Sequence, residues 1–125
     1  MAPGATAPGV FARVVLVMVL VLGAAYSAAE DSRDPYAHFF TPTFGDLPEE
    51  METARAEGKL GMLLFFEADA CPYCEHMRRK VLNEAHVQDW YRERFVNIAI
   101  DIHGDIEVKD FDGITLPMKV FAEHR

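Results

Sequence analysis

Apolar positions along the chain predict helices and strands in alternation. From Asp46 to Gly58 ("DLPEEMETARAEG"), Leu47, Met51 and Ala54 recur at the spacing of one helical face. Asp46 offers a capping oxygen, Glu49 stands three residues on, and Gly58 is the residue type that ends helices. "GMLLFFE" follows, short and apolar without polar alternation, which predicts a buried strand. A second helix opens at Cys71 with Pro72 in its first turn. Cys74, Met77 and Val81 share one face of it, and Arg78, Arg79 and Lys80 stand near its end, where the macrodipole favours cations. Asn83 predicts a break and a new cap, after which "EAHVQDWYRERF" continues helically with Val87, Trp90 and Tyr91 on a common side. In "FVNIAIDI", Val96, Ile98, Ile100 and Ile102 alternate with smaller or polar neighbours, a second strand. Two apolar strands joined through helical segments predict a parallel pair with a right-handed crossover.

The flanks carry weaker patterns. Residues 30–45 are polar and aromatic without periodicity, an irregular arm whose Phe39, Phe40 and Phe44 are expected to pack onto the domain at 46–125. "HGDIEVKDFDG" reads as a turn-rich connection. "ITLPMKVFAEHR" reads as a helix capped near Thr115 with Pro117 in its opening turn; the alternative is a cis-proline leading into a strand through Met118, Val120 and Ala122.

At 125 residues the chain holds at most one small domain, and 50% hydrophobic with 26% charged residues is a globular composition. A formal charge of −8 makes it a poor partner for phosphate backbones or anionic lipid, and nucleic acid is set aside. The first 29 residues stand apart: a short segment with the single base Arg13, the apolar run "VVLVMVLVLGAA", then small residues in "YSAAE". This is the order of a secretory signal, cleaved after Ala29 or Ser27, with an uncleaved anchor as the alternative. Cutting at Ala29 removes Arg13 alone among the charges and leaves 11 basic against 20 acidic side chains, a balance of −9. Either way the remainder is expected in an exported, oxidising compartment.

Only two cysteines are present, Cys71 and Cys74, separated by Pro72 and Tyr73. A sulfur at a helix N-terminus faces unpaired amide N–H groups and the positive dipole end, both of which favour thiolate. Such sites titrate at roughly 3.5–7.5, against about 8.5 for a free thiol. Cys74 lies one turn deeper on the same face, where it can attack a mixed disulfide formed at Cys71. Pro72 stiffens the turn and Tyr73 presents its ring outside. Glu67 and Asp69 would raise a nearby thiol's pKa, while His76 and the basic cluster would lower it. Three uses of the pair compete. A bridge this local removes little chain entropy and stabilises weakly. A metal site needs further ligands, which His76 with His86 or His103 would have to supply. Covalent haem is excluded by Glu75 in the position after the second cysteine. Thiol–disulfide exchange is the reading the residues favour, and it needs no bound cofactor. Glu67, just before the cysteine turn, is either a solvated strand-end carboxylate or a proton relay to Cys74.

A buried strand, C-P-Y-C at a helix start and a second parallel strand resemble the thioredoxin-like superfamily. The fold class implied is α/β. More narrowly, "DPYAHFFTPTFGDLPEEMETARAEGKLGMLLFFEADACPYC" with "DFDG" beyond the second strand looks like exported bacterial thioredoxin-domain proteins, related to the thiol reductases of sulfur oxidation and cytochrome maturation. The Pro-Tyr dipeptide is also that of glutaredoxins. The resemblance implies Cys71 as nucleophile, Cys74 as resolving thiol, protein thiol or disulfide substrates in the periplasm, and reduction in preference to oxidation. It also implies a membrane-embedded thiol as electron donor. The rival is a domain that handles copper or zinc, or an adaptor without catalysis. Two departures stand out. The family's buried acid falls six residues before the first cysteine, where this chain has Phe65, with Glu67 on the same strand face as the nearest substitute. The family's cis-proline loop, following β-hairpin and last helix find no match after Cys74, so the domain is expected to be incomplete, continuing past Arg125.

Overall fold

The computed structural model describes residues 31–125, which form one compact unit. The expected secretory signal at 1–29 lies outside the described residues.

The arm opens with a one-turn helix, α1 (Pro35–His38), capped by the Asp34 carboxylate on the Tyr36 amide. Helix α2 (Leu47–Ala56) starts at Asp46, whose side chain accepts from the Glu49 amide at 3.0 Å, and stops at Gly58 with φ +79°. Strand β1 (Gly61–Glu67), helix α3 (Pro72–Lys80), helix α4 (Ala85–Arg94) and strand β2 (Phe95–Asp101) follow in the expected order. β1 and β2 pair in parallel from Gly61 with Phe95 to Glu67 with Asp101.

This sheet is covered on both faces, and strand periodicity sorts its side chains between them. Val96, Ile98 and Ile100, with Met62 and Leu64, pack against Leu47 and Ala54 of α2. On the opposite face Leu63, Phe65 and Ala99 meet Phe39, Phe40, Leu82, Val87 and Tyr91. Burial on both sides is why β1 carries no polar alternation. Asn97 breaks the apolar rule of the second face, being fully buried, and its Nδ2 donates to the Phe39 carbonyl at 3.2 Å.

The arm therefore contributes two rings to the core. Phe39 and Phe40 are buried and meet edge to face at 5.0 Å between ring centroids, but Phe44, expected to pack, is 99% exposed. The reason is local: the Thr43 hydroxyl and the Phe44 amide both donate to Glu50, which holds the turn with the Phe44 ring outward. The arm's first residues are also fastened. The Asp31 carbonyl accepts from the Ala85 amide, the Arg33 amide donates to the Asn83 carbonyl at 2.8 Å, and Gln88 Nε2 donates to both the Arg33 and Leu82 carbonyls.

Beyond β2, two expectations are corrected. The segment read as a turn-rich connection contains strand β3 (Glu107–Lys109), and Thr115, read as a helix cap, belongs to strand β4 (Thr115–Pro117). The two strands pair antiparallel around the "DFDG" turn, where Asp110 Oδ1 accepts from the amides of Asp112 and Ile114, both at 2.9 Å. Helix α5 (Met118–His124) begins only after Pro117, because the strand ladder holds the preceding residues extended. The Pro117 peptide is trans and a helix follows it, so the cis-proline and strand alternative is not what forms. Val108, Met118 and Phe121 join the α2 side of the core. The architecture is mixed α/β, as expected. Among the described residues the parallel sheet has two strands.

Candidate redox site at the start of helix α3

β1 delivers the chain at Glu67 to a tight turn through Ala68, Asp69 and Ala70, closed by the Cys71 amide donating to the Ala68 carbonyl. Cys71 has extended backbone angles and is the N-cap of α3. Pro72 occupies the first helical position, where no amide donor is required. The Cys71 sulfur accepts from the Cys74 amide at 3.1 Å, doing for this helix what an Asp or Ser oxygen does for others. Cys71 and Cys74 form a disulfide with 5.2 Å between their Cα atoms. Tyr73 is 88% exposed, its ring outside as the sequence implies, and Pro72 is exposed beside it. The sulfurs thus sit in the first turn with one amide already directed at Cys71, the arrangement that stabilises a thiolate once the bridge opens.

Helix α3 contains no fully buried residue. Met77 and Val81, which share a face with Cys74, are each about two-fifths exposed. His76 is an exposed surface residue. A cleft of about 780 Å³ runs beside the first turn, lined by Arg33, Tyr36, Pro72, Glu75, His76 and Arg79 among others.

Glu67 departs from the first of its two sequence readings. Its side chain is largely buried and forms an ion pair with Arg78, while the Tyr36 hydroxyl lies 3.0 Å from each of its carboxylate oxygens. It is not a solvated carboxylate, because two elements besides its own strand close over it. Phe65, in the place of the family acid, packs its ring 5.5 Å from that of Phe40. Arg78 stands in the last turn of α3 with Arg79 and Lys80, as expected. From there it reaches back to Glu67 and, at 3.0 Å, to Glu75, and its guanidinium stands over the Tyr36 ring. Burial disfavours the Arg78 charge, but the two carboxylates outweigh it and its pKa is raised. Burial, then the Glu67 contact, pushes the Tyr36 hydroxyl up, and the Arg78 guanidinium holds Glu75 below the usual carboxylate range. Tyr36 gave no signal in the sequence. Arg78 had one, its spacing of four from Cys74 and three from Glu75.

Among the described residues no group of three or more His, Cys, Asp or Glu side chains is placed to hold a metal ion. His76, His86 and His103 are each exposed, and nothing gathers them at the sulfurs.

With this geometry in hand, comparison with family models decides the membership. A model described as a thioredoxin-like domain matches residues 47–125, from α2 to the end of α5. The chain belongs to the thioredoxin-like family. Nothing matched among curated proteins or among solved structures. The family and the disulfide-linked C-x-x-C pair fit thiol–disulfide oxidoreductase chemistry on protein thiols, and the observed order of elements is a thioredoxin-like fold in part.

Proposed function

We propose that the chain reduces disulfides of protein substrates in the periplasm, with Cys71 as nucleophile and Cys74 as resolving thiol. The observation that carries this is the position of the sulfur pair: Cys71 caps α3, its sulfur receives the Cys74 amide, and Cys74 is within bonding reach. In the forward direction the Cys71 thiolate attacks one substrate sulfur. The substrate S–S bond breaks, one sulfur leaves as thiolate and takes a proton, and a mixed disulfide with Cys71 remains. The Cys74 thiolate then attacks Cys71 Sγ and releases the second substrate sulfur. Two electrons and two protons pass to the substrate, and the protein is left with the Cys71–Cys74 bridge that the structure displays. A dithiol donor in the membrane returns it to the reduced state by the same exchange in reverse. Export rests on the N-terminal sequence and the preference for reduction on the sequence resemblance.

Replacing Cys74→Ser tests the assignment. The expected result is an accumulating mixed disulfide between Cys71 and a disulfide-bearing substrate, the second substrate sulfur leaving as thiolate, resolved by added dithiol. Cys71→Ser traps none. Trapping at Cys74 in preference to Cys71 overturns the roles, and trapping at neither overturns the function.

A further inference from the structure

Helix α3 hangs between two fixed points. It leaves the turn at 68–70, and two residues past its end Leu82 sits in the core, 6% exposed. Of its nine residues only Cys74 and Arg78, four apart on one face, are half-buried, and the other seven are exposed. Among the described residues a single side-chain hydrogen bond joins α3 to another element, from Arg78 to Glu67 at the end of β1. Tyr36 of α1 closes over that pair: its hydroxyl lies 3.0 Å from each Glu67 oxygen, and its ring lies under the Arg78 guanidinium. Glu67 and Arg78 keep only 12% and 15% of their side-chain surface. Parting them strands no cation, because Arg78 also holds Glu75 of its own helix at 3.0 Å. It leaves Glu67 facing Asp69 and Asp101, which line the same small cavity, and that repulsion favours the docked form.

We propose that α1 is a strap: Tyr36, by bonding Glu67 and stacking under Arg78, keeps α3 docked, and α3 opens as a unit of its own when that contact is lost. The hinges are the turns at 68–70 and 81–83, on either side of the helix, so neither β1 nor β2 has to part for it to move. Opening costs one partly buried ion pair and the contacts of two half-buried residues, far less than dissolving the core on either face of the sheet. The arm is thereby coupled to the sulfur pair, because whatever displaces α1 also releases the helix that Cys71 caps. Tyr36, Glu67 and Arg78 act by position alone, and the inference stands whether or not the cysteines exchange with substrates.

The test is amide hydrogen exchange of the full chain with its disulfide intact, read residue by residue at urea concentrations below the unfolding transition. In the wild type the amides of residues 76–80 are expected to be at least about a hundredfold less protected than those of Ile98 and Ile100, and nearly insensitive to urea. Tyr36→Phe, which removes the hydroxyl and keeps the ring, is expected to raise exchange in α3 about fivefold, and Glu67→Gln about tenfold. Val108→Ala, in the core on the α2 side, is expected to speed exchange at Ile98 and Ile100 while α3 stays within about twofold of wild type. Equal protection in α3 and β2 overturns the proposal. So does exchange in α3 that neither strap variant moves, or that Val108→Ala moves as far as it moves the strands. If Glu67→Gln fails to fold, Tyr36→Phe decides alone, and a rise below about twofold counts against the strap.

Discussion

Phe39 shows how far the arm is structural. It is 1% exposed, sits edge-on to Phe40 and lies 5.5 Å from the Tyr91 ring centroid, so truncation to alanine empties a site bounded by two elements. Buried Phe→Ala changes cost about 3–5 kcal/mol, and each aromatic pair contributes about 0.5–1.5 kcal/mol within that loss. A unit the size of residues 31–125 has a total stability of about 5–14 kcal/mol at 0.05–0.15 kcal/mol per residue. Phe39→Ala therefore removes about a fifth of the stability or more, and the melting temperature falls by at least about 12 °C. Phe44→Ala, at a ring 99% exposed, stays within about 0.5 kcal/mol of wild type. The assay is urea unfolding with the disulfide intact, comparing midpoints at constant slope. Phe39→Leu retains most of the volume and keeps the comparison measurable if the alanine variant is unfolded. A loss below about 1 kcal/mol for Phe39→Ala, or equal losses at 39 and 44, refutes the assignment of the arm to the core.

Other expectations are shorter to state. A Cβ at Gly45 would lie 2.9 Å from the Glu107 carbonyl oxygen at φ +88°, whereas one at Gly58, φ +79°, meets open space. Gly45→Ala should thus destabilise more than Gly58→Ala, whose cost is about 1–2 kcal/mol from the left-handed backbone alone; the reverse order in thermal melts would contradict the packing. The Lys109 ammonium, with the Glu49 amide, holds Asp46 below the usual carboxylate range. Its contribution is fully present above its unfolded value of about 3.9 and fades as pH falls through the lower folded value. Asp46→Asn keeps the cap but not the charge, so the acid limb of melting temperature against pH should flatten below about pH 4. An unchanged limb would show that this pair is not what titrates.

The parts legible in sequence were those with a local signature. Asp46 and Gly58 mark α2 because capping and left-handed termination are chemistry of the residues themselves. The even-numbered positions of β2 announce a buried face, and a cysteine followed by proline announces a helix start. What escaped depended on partners far along the chain. Tyr36 and Glu67 are 31 residues apart, and nothing in either neighbourhood signals the other. β3 and β4 have three residues each, too few for alternation to show. Phe40 and Phe44 look alike in a sequence without period, and only the Glu50 contact with the Phe44 amide decides which ring faces water.

The clips that hold the front of the arm carry a consequence for where the chain can be shortened. Under the expected cleavage after Ala29, Asp31 and Arg33 would both stay in the product, and the ties to Ala85, Asn83 and Gln88 would survive it. A cut after Arg33 would discard them all and strand the buried Gln88 amide without one of its two acceptors. Trimming from the amino-terminal side should accordingly start to cost stability once it passes Asp31, where the chain becomes a fastener.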